Sequence, residues 1–143
     1  MATATTTLTT TSTSSTTDLA AALLRVSLGG LFLAHAGLKI FVFTPAGTAA
    51  FFASLGLPGA LAYLTMAVEV LGGIALILGY RTRIAALVTI PVLLGAIAFV
   101  HIHNGFFFND KNGGWEYPAF WIIALIVQAM LGGGAYSVDE KRG

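Results

Sequence analysis

One carboxylate, Glu69, stands alone in an apolar segment, residues 57–80, long enough to cross a bilayer. An ionised Asp at mid-membrane costs at least about 2.5 kcal/mol on insertion scales, and more by other estimates. A lipid-facing helix has no use for such a group. Glu69 should therefore face a bundle interior, a partner or a cavity. It can serve as the structural partner of Lys39, His35 or Gln128, or as a neutral acid held for proton exchange.

Three further sets of residues could join it. His35 and Lys39 are four apart and share one helix face. Arg25 falls within about 80° of His35 on the same wheel, so Arg25, Phe32, His35 and Lys39 make a polar-enriched seam. Two readings of that seam stand. In one, Lys39 snorkels to the interface and His35 bonds a neighbouring carbonyl; in the other, both line a cavity. His101 and His103 are two apart and point about 160° from each other. Both could bind one ion only if the helix unravels there, which Asn104-Gly105 permits. The wheel favours His103, which continues the stripe Thr82, Thr89, Ala96. With Glu69 and His35 the two would form a nitrogen and oxygen donor set, but the spacing is not diagnostic and no metal site is assigned. Gln128 can bond across to Glu69 or His35, or act as interhelical glue. Trp115 and Tyr117 suit a membrane interface, and Glu116 between them can pair with Lys39.

The elements that must hold these groups follow from composition. The chain has 143 residues, 57% hydrophobic and 9% charged, with mean hydropathy +0.87. A soluble domain carries roughly 25% charged residues, so a bilayer is the natural solvent. A net charge of +1 and seven Lys and Arg without a basic stripe exclude a nucleic-acid surface. The absence of cysteine excludes disulfides, thiol redox and thiolate metal sites, and with them the vitamin K reductase type of four-helix enzyme. No nucleotide, flavin or haem-attachment motif is visible.

Four apolar runs, residues 19–43, 59–79, 84–103 and 118–136, each hold about 20 residues, enough at ~1.5 Å rise for a ~30 Å core. In lipid the backbone must satisfy itself, so these are helices. Asp18 is placed to cap the first. Pro91 should kink the third. Pro118 opens the fourth, and Gly132-Gly133-Gly134 stops it. Arg25, Arg81, Arg83, Lys141 and Arg142 fall on one side if both termini are cytoplasmic, against Lys39 and Lys111 on the other. The expected fold class is therefore all-α, a transmembrane four-helix bundle with both termini inside and loops 43–58 and 104–117 outside. Residues 1–17, a Thr/Ser tract without the basic start of a secretory signal, read as a disordered tail. Residues 18–139 read as the membrane domain, and 140–143 as a short cytoplasmic tail.

The segments Leu24-Arg25-Val26-Ser27-Leu28-Gly29-Gly30 through His35-Ala36-Gly37-Leu38-Lys39, Glu69-Val70-Leu71-Gly72-Gly73 through Arg81-Thr82-Arg83, Val100-His101-Ile102-His103-Asn104-Gly105, Gly113-Gly114-Trp115-Glu116-Tyr117-Pro118 and Gly132-Gly133-Gly134 through Asp139 occur in that order. In this the chain resembles the DoxX family over roughly residues 23–139. The resemblance implies a four-helix integral membrane protein. Some relatives are membrane subunits of thiosulfate:quinone oxidoreductases, and others act beside soluble sulfur or superoxide-handling enzymes. By position, the family pattern matches Arg25, His35, Gly37, Lys39, Glu69, Gly72, Arg81, His101, Asn104, Gly105 and Glu116, so it selects His101 over His103.

Together these readings predict an outward-opening pocket. Glu69, His35 and His101 are its candidate catalytic residues, and Lys39, Trp115, Glu116, Gln128 and Asn104 its candidate ligand-binding residues. A mainly apolar pocket with such a mouth suits a quinone, and turnover then needs an oxidoreductase partner, soluble or membrane-bound. The expected surroundings are the lipid bilayer of a prokaryotic cytoplasmic membrane, crossed several times, with self-association into a homo-oligomer left open. A non-enzymatic docking scaffold and a proton or small-solute pathway through Glu69 are the competing readings.

Overall fold

The computed structural model describes residues 15–142. The Thr/Ser tract expected to be a tail lies outside the described residues up to position 14. The described residues contain five α-helices and no strand. α1 (Thr16–Gly37) runs on through a π-helical turn (Leu38–Val42). α2 is Pro45–Ser54 and α3 is Ala60–Leu78. α4 (Thr82–Ala96) continues through a second π-helical turn (Ile97–His101) and a short 3-10 turn (Ile102–Asn104). α5 is Glu116–Leu131.

The start of α1 differs from expectation. Ser15 is the N-cap and Asp18 its reciprocal partner: Ser15 Oγ accepts from the Asp18 N–H at 3.3 Å, and Asp18 Oδ2 accepts from the Ser15 N–H at 3.0 Å. This is a capping box, which satisfies two free donors at once. Helix α2 is the larger correction, because residues 43–58 were expected to be a loop. Thr44 Oγ1 accepts from the Gly47 N–H at 3.1 Å and Pro45 occupies the first turn, a start signal for which Thr and Pro are both suited.

Three helical stretches are long and apolar enough to cross a membrane: Thr16–Val42, Ala60–Leu78 and Thr82–Asn104. α5 is apolar but shorter. α1 packs on α3, α3 on α4, α4 on α5 and α5 on α1, which closes a ring of four; α2 lies on α3 and on the π-helical turn of α1. The core is built from Leu28, Phe32, Leu76, Ala85, Ala86, Leu93, Trp121 and Leu125. α1 and α3 cross with almost no side chain between them. A Cβ on Gly29 would stand 2.6 Å from the Gly73 carbonyl oxygen, so only glycine allows the approach. The outer surface carries bare apolar side chains such as Leu71, Phe120 and Met130. In water such coverage would drive aggregation; against lipid tails it is the required surface.

Candidate functional site

The two ends of the bundle hold different polar sets. At the end where α1 begins and α5 stops, Arg25 is buried. Its Nε donates to the Gly133 carbonyl at 3.2 Å and Nη2 to that of Tyr136 at 2.7 Å. Nη1 donates to the Leu76 carbonyl at 3.1 Å and to that of Ile77. The guanidinium thus adds donors to carbonyls in the last turn of α3, where intrahelical donors run out and where Leu76 otherwise accepts from the Gly79 N–H at 3.1 Å, and ties that turn to the segment after α5. Asp139 completes this clasp. Its Oδ1 accepts from the Arg81 N–H at 2.7 Å, and its Oδ2 from the Thr82 N–H at 2.9 Å and the Thr82 hydroxyl at 3.1 Å. Asp139 therefore caps α4 from a distance, where Arg81 offers no side-chain cap of its own. Asp18 Oδ1 accepts from the Ala135 N–H at 3.0 Å. Arg25 shares a helix with His35 but not a site.

At the other end the ring opens into a cavity of about 1010 Å³, walled by α1, α2, α3, α4 and α5. His35, Lys39, Glu69 and His101 all line it, as do Thr48, Thr65, Tyr117 and Trp121. Lys39 Nζ donates to Glu69 Oε1 at 2.6 Å. Glu69 is buried, and its second oxygen, Oε2, has no partner. Trp121 is likewise buried, with its indole N–H unpartnered. Its ring takes Phe32 at 4.6 Å, His35 at 5.2 Å edge-on and Tyr117 at 5.6 Å. Native interiors seldom leave buried polar atoms unsatisfied, and here two of them belong to residues of one cavity.

Two π-helical turns set this geometry. The inward stripe of α4 is Thr82, Ala85, Ala86, Thr89 and Leu93. In an unbroken α-helix it would continue through positions 96 and 100. The π-helical turn at Ile97–His101 inserts one residue, so His101 takes the inward slot and His103 is left exposed. The wheel preference for His103 is thereby corrected, and the residue picked out by the motif is the one that lines the cavity. His101 Nδ1 lies 2.9 Å from the Gly113 carbonyl. A carbonyl only accepts, so Nδ1 carries the proton and Nε2 is left as an acceptor in the neutral ring. The turn at Leu38–Val42 widens α1 in the same way and keeps His35, Lys39 and Phe43, four apart, on the cavity wall.

Four expected members lie elsewhere. Gln128 is fully buried on α5, and its amide donates to the Gly132 carbonyl at 2.7 Å rather than across to Glu69 or His35. Glu116 accepts from the Phe108 N–H at 2.8 Å; Lys39 is already held by Glu69, so the expected Glu116–Lys39 pair does not form. Trp115 packs on Phe106 at 4.7 Å, within the loop. Asn104 donates to the Val100 carbonyl at 2.9 Å and the Asn112 carbonyl at 3.2 Å. Glu116, Trp115 and Asn104 hold the loop 105–115 that presents Gly113 to His101. Among the described residues, no three His, Asp or Glu side chains gather as a metal site.

The wall contributed by α2 was missed. Thr48 lines the cavity, and its hydroxyl donates to the carbonyls of Thr44 and Lys39 at 2.9 and 3.1 Å. The signal was available in Thr44-Pro45 followed by twelve residues without a further proline. On α5, Tyr117 and Trp121 reach the cavity, whereas Gln128, further along the helix, does not.

The DoxX family model matches residues 20–102. A protein of Bacillus subtilis (strain 168) named "Putative oxidoreductase CatD" is 33% identical over 122 residues, covering 85% of this chain and 86% of that protein. No solved structure matches. The chain belongs to the DoxX family.

Proposed function

We propose, with that membership as premise, that the chain is the membrane subunit of a quinone-linked oxidoreductase system in a prokaryotic cytoplasmic membrane, and that the cavity takes the quinone ring. The observation that carries the reading is the unsaturated Lys39–Glu69 pair. One carboxylate oxygen is held and the other is buried without a partner, inside a largely apolar cavity. A flat ring with two oxygens matches the donors and acceptors on the walls: the ammonium of Lys39, the indole N–H of Trp121, and the His35 ring, whose nitrogens make no hydrogen bond among the described residues. A bound quinone would supply two-electron chemistry at its oxygens. The chain has no cysteine couple, so the electrons come from a partner oxidoreductase. Glu69 and His35 are the groups placed to exchange protons with a ring oxygen.

The reading includes a topology. Arg81, Arg83, Lys141 and Arg142 lie at the clasped end, which then faces the cytoplasm, and α2 lies outside. α5 serves as a fourth span. Its 16 residues cover about 24 Å, and a shorter span is accommodated by local thinning of the bilayer.

Binding of a quinone to the protein reconstituted in lipid vesicles tests the reading. Glu69→Gln and His35→Ala should each weaken it by about tenfold, the loss of ~1.4 kcal/mol. Affinity unchanged in both variants would remove these residues from the site.

A further inference from the structure

We infer that the cavity opens sideways into the bilayer through a fork between α3 and α4, and that the apolar tail of a membrane-dissolved ligand lies in that fork. The tail deepens the quinone reading above, while the fork itself stands on geometry alone. α3 and α4 run antiparallel and touch closely at one level: a Cβ on Gly72 would collide with the Thr89 side chain. Outward from that contact both helices line the cavity, α3 from Val68 to Leu61 and α4 from Pro91 to Val100, with Val88 at the level of the contact itself. The pair is thus pinned at one end and open at the other.

The open part reaches the lipid side. On the α4 wheel, at about 100° per residue, Val88 and Gly95 lie about 100° or more from Thr89, towards the face that carries Ile84. Leu64 sits at the corresponding edge of α3. Leu64 and Val88 both line the cavity while 58% and 53% exposed. A Cβ built on Gly95 meets nothing within 4 Å, so the fork is empty at that level. The occupant is identified by continuity and size. The fork leads without interruption to Glu69. A volume of about 1010 Å³ is at the top of the range for whole drug-sized ligands, ~300–1,000 Å³. A ring alone would leave most of it empty, whereas a ring with one alkyl or polyprenyl tail fills both parts.

The test uses Trp121, which lines the cavity and is 4% exposed. In a Trp115→Phe background it is the one tryptophan left. The full chain is reconstituted in phosphatidylcholine vesicles with brominated acyl chains, and Trp121 fluorescence is read. Lipid tails entering the fork quench it. Gly95→Phe should relieve at least half of the quenching. Gly95→Ala should leave it in place, as should Gly30→Phe, which adds the same bulk where a Cβ also meets nothing. A second arm compares a decyl-substituted benzoquinone with the ring lacking the tail. Gly95→Phe should weaken the former at least fivefold and the latter less than twofold. Unquenched Trp121, quenching indifferent to Gly95→Phe, or equal losses for the two quinones would overturn the fork. Quenching that behaves as expected while neither quinone binds would leave the fork standing and remove the quinone reading.

Discussion

Arg25 and Glu69 are equally buried, each 3% exposed, yet they live in opposite circumstances. Arg25 meets four carbonyls at the clasped end. Glu69 meets one ammonium at the cavity end and keeps an oxygen with no partner. Burial alone therefore does not separate a charge that is largely engaged with backbone from one that keeps an unpartnered atom beside a cavity. Saturation does. A charge that gives four of its five N–H donors to backbone carbonyls holds that backbone in place, while one left with a whole oxygen unpartnered beside open space retains the capacity to bind something else.

The largest expected effect comes from breaking the saturated end. Arg25→Met keeps length and removes the donors, taking this partner from the part-buried carbonyls of Ile77, Gly133 and Tyr136, while that of Leu76 keeps the Gly79 N–H. At about 1–3 kcal/mol for each unsatisfied group, the folded state should lose roughly 3 kcal/mol or more, read as a drop in the melting temperature of the detergent-solubilised protein. Quinone affinity of the fraction that remains folded should not change; a fall in affinity at equal stability would erase the distinction between the two ends.

Next in size is the cavity pair. Lys39→Met alone leaves Glu69 without its cation and should cost about 3 kcal/mol, as broken buried pairs do. Lys39→Met combined with Glu69→Gln should return to within about 1 kcal/mol of the parent, since replacing both members of a buried pair is often neutral. A double-mutant cycle on melting data checks this, and the double variant should still have lost quinone binding. Recovered stability together with recovered binding would make the pair mere glue.

The smallest effect is expected at Gln128. It is buried with one bond along its own helix and one oxygen unpartnered. Gln128→Met removes both features at similar volume, so stability should move by less than about 1.5 kcal/mol and ligand affinity not at all. A clear loss of affinity would return Gln128 to the site from which the geometry removes it.

Glu69, His35 and Lys39 were legible because each is a charge or a titratable group placed where an apolar helix should have none. The close approaches at Gly72 and Gly73 fall in the same Glu69-Val70-Leu71-Gly72-Gly73 segment, where small residues let neighbouring helices meet. His101 was not legible from periodicity. A wheel assumes 3.6 residues per turn, and one inserted residue in the π-helical turn rotates everything beyond it. α2 was hidden by its position between two spans, where length and charge suggested a loop although Thr44-Pro45 signals a helix start. Glu116, Trp115 and Asn104 carried a plausible chemistry but were taken up by the fold of their own loop.

By itself the sequence determined the solvent, the helical class and the short inventory of groups able to do chemistry, because each depends on composition and on the length of apolar runs. The tertiary structure alone decided who meets whom. Lys39 pairs with Glu69, Arg25 leaves the seam for the opposite end, His101 displaces His103, and Trp121 joins the wall. The reason is that pairing depends on helix neighbours and on register, and a single π-helical turn changes the register without changing the composition.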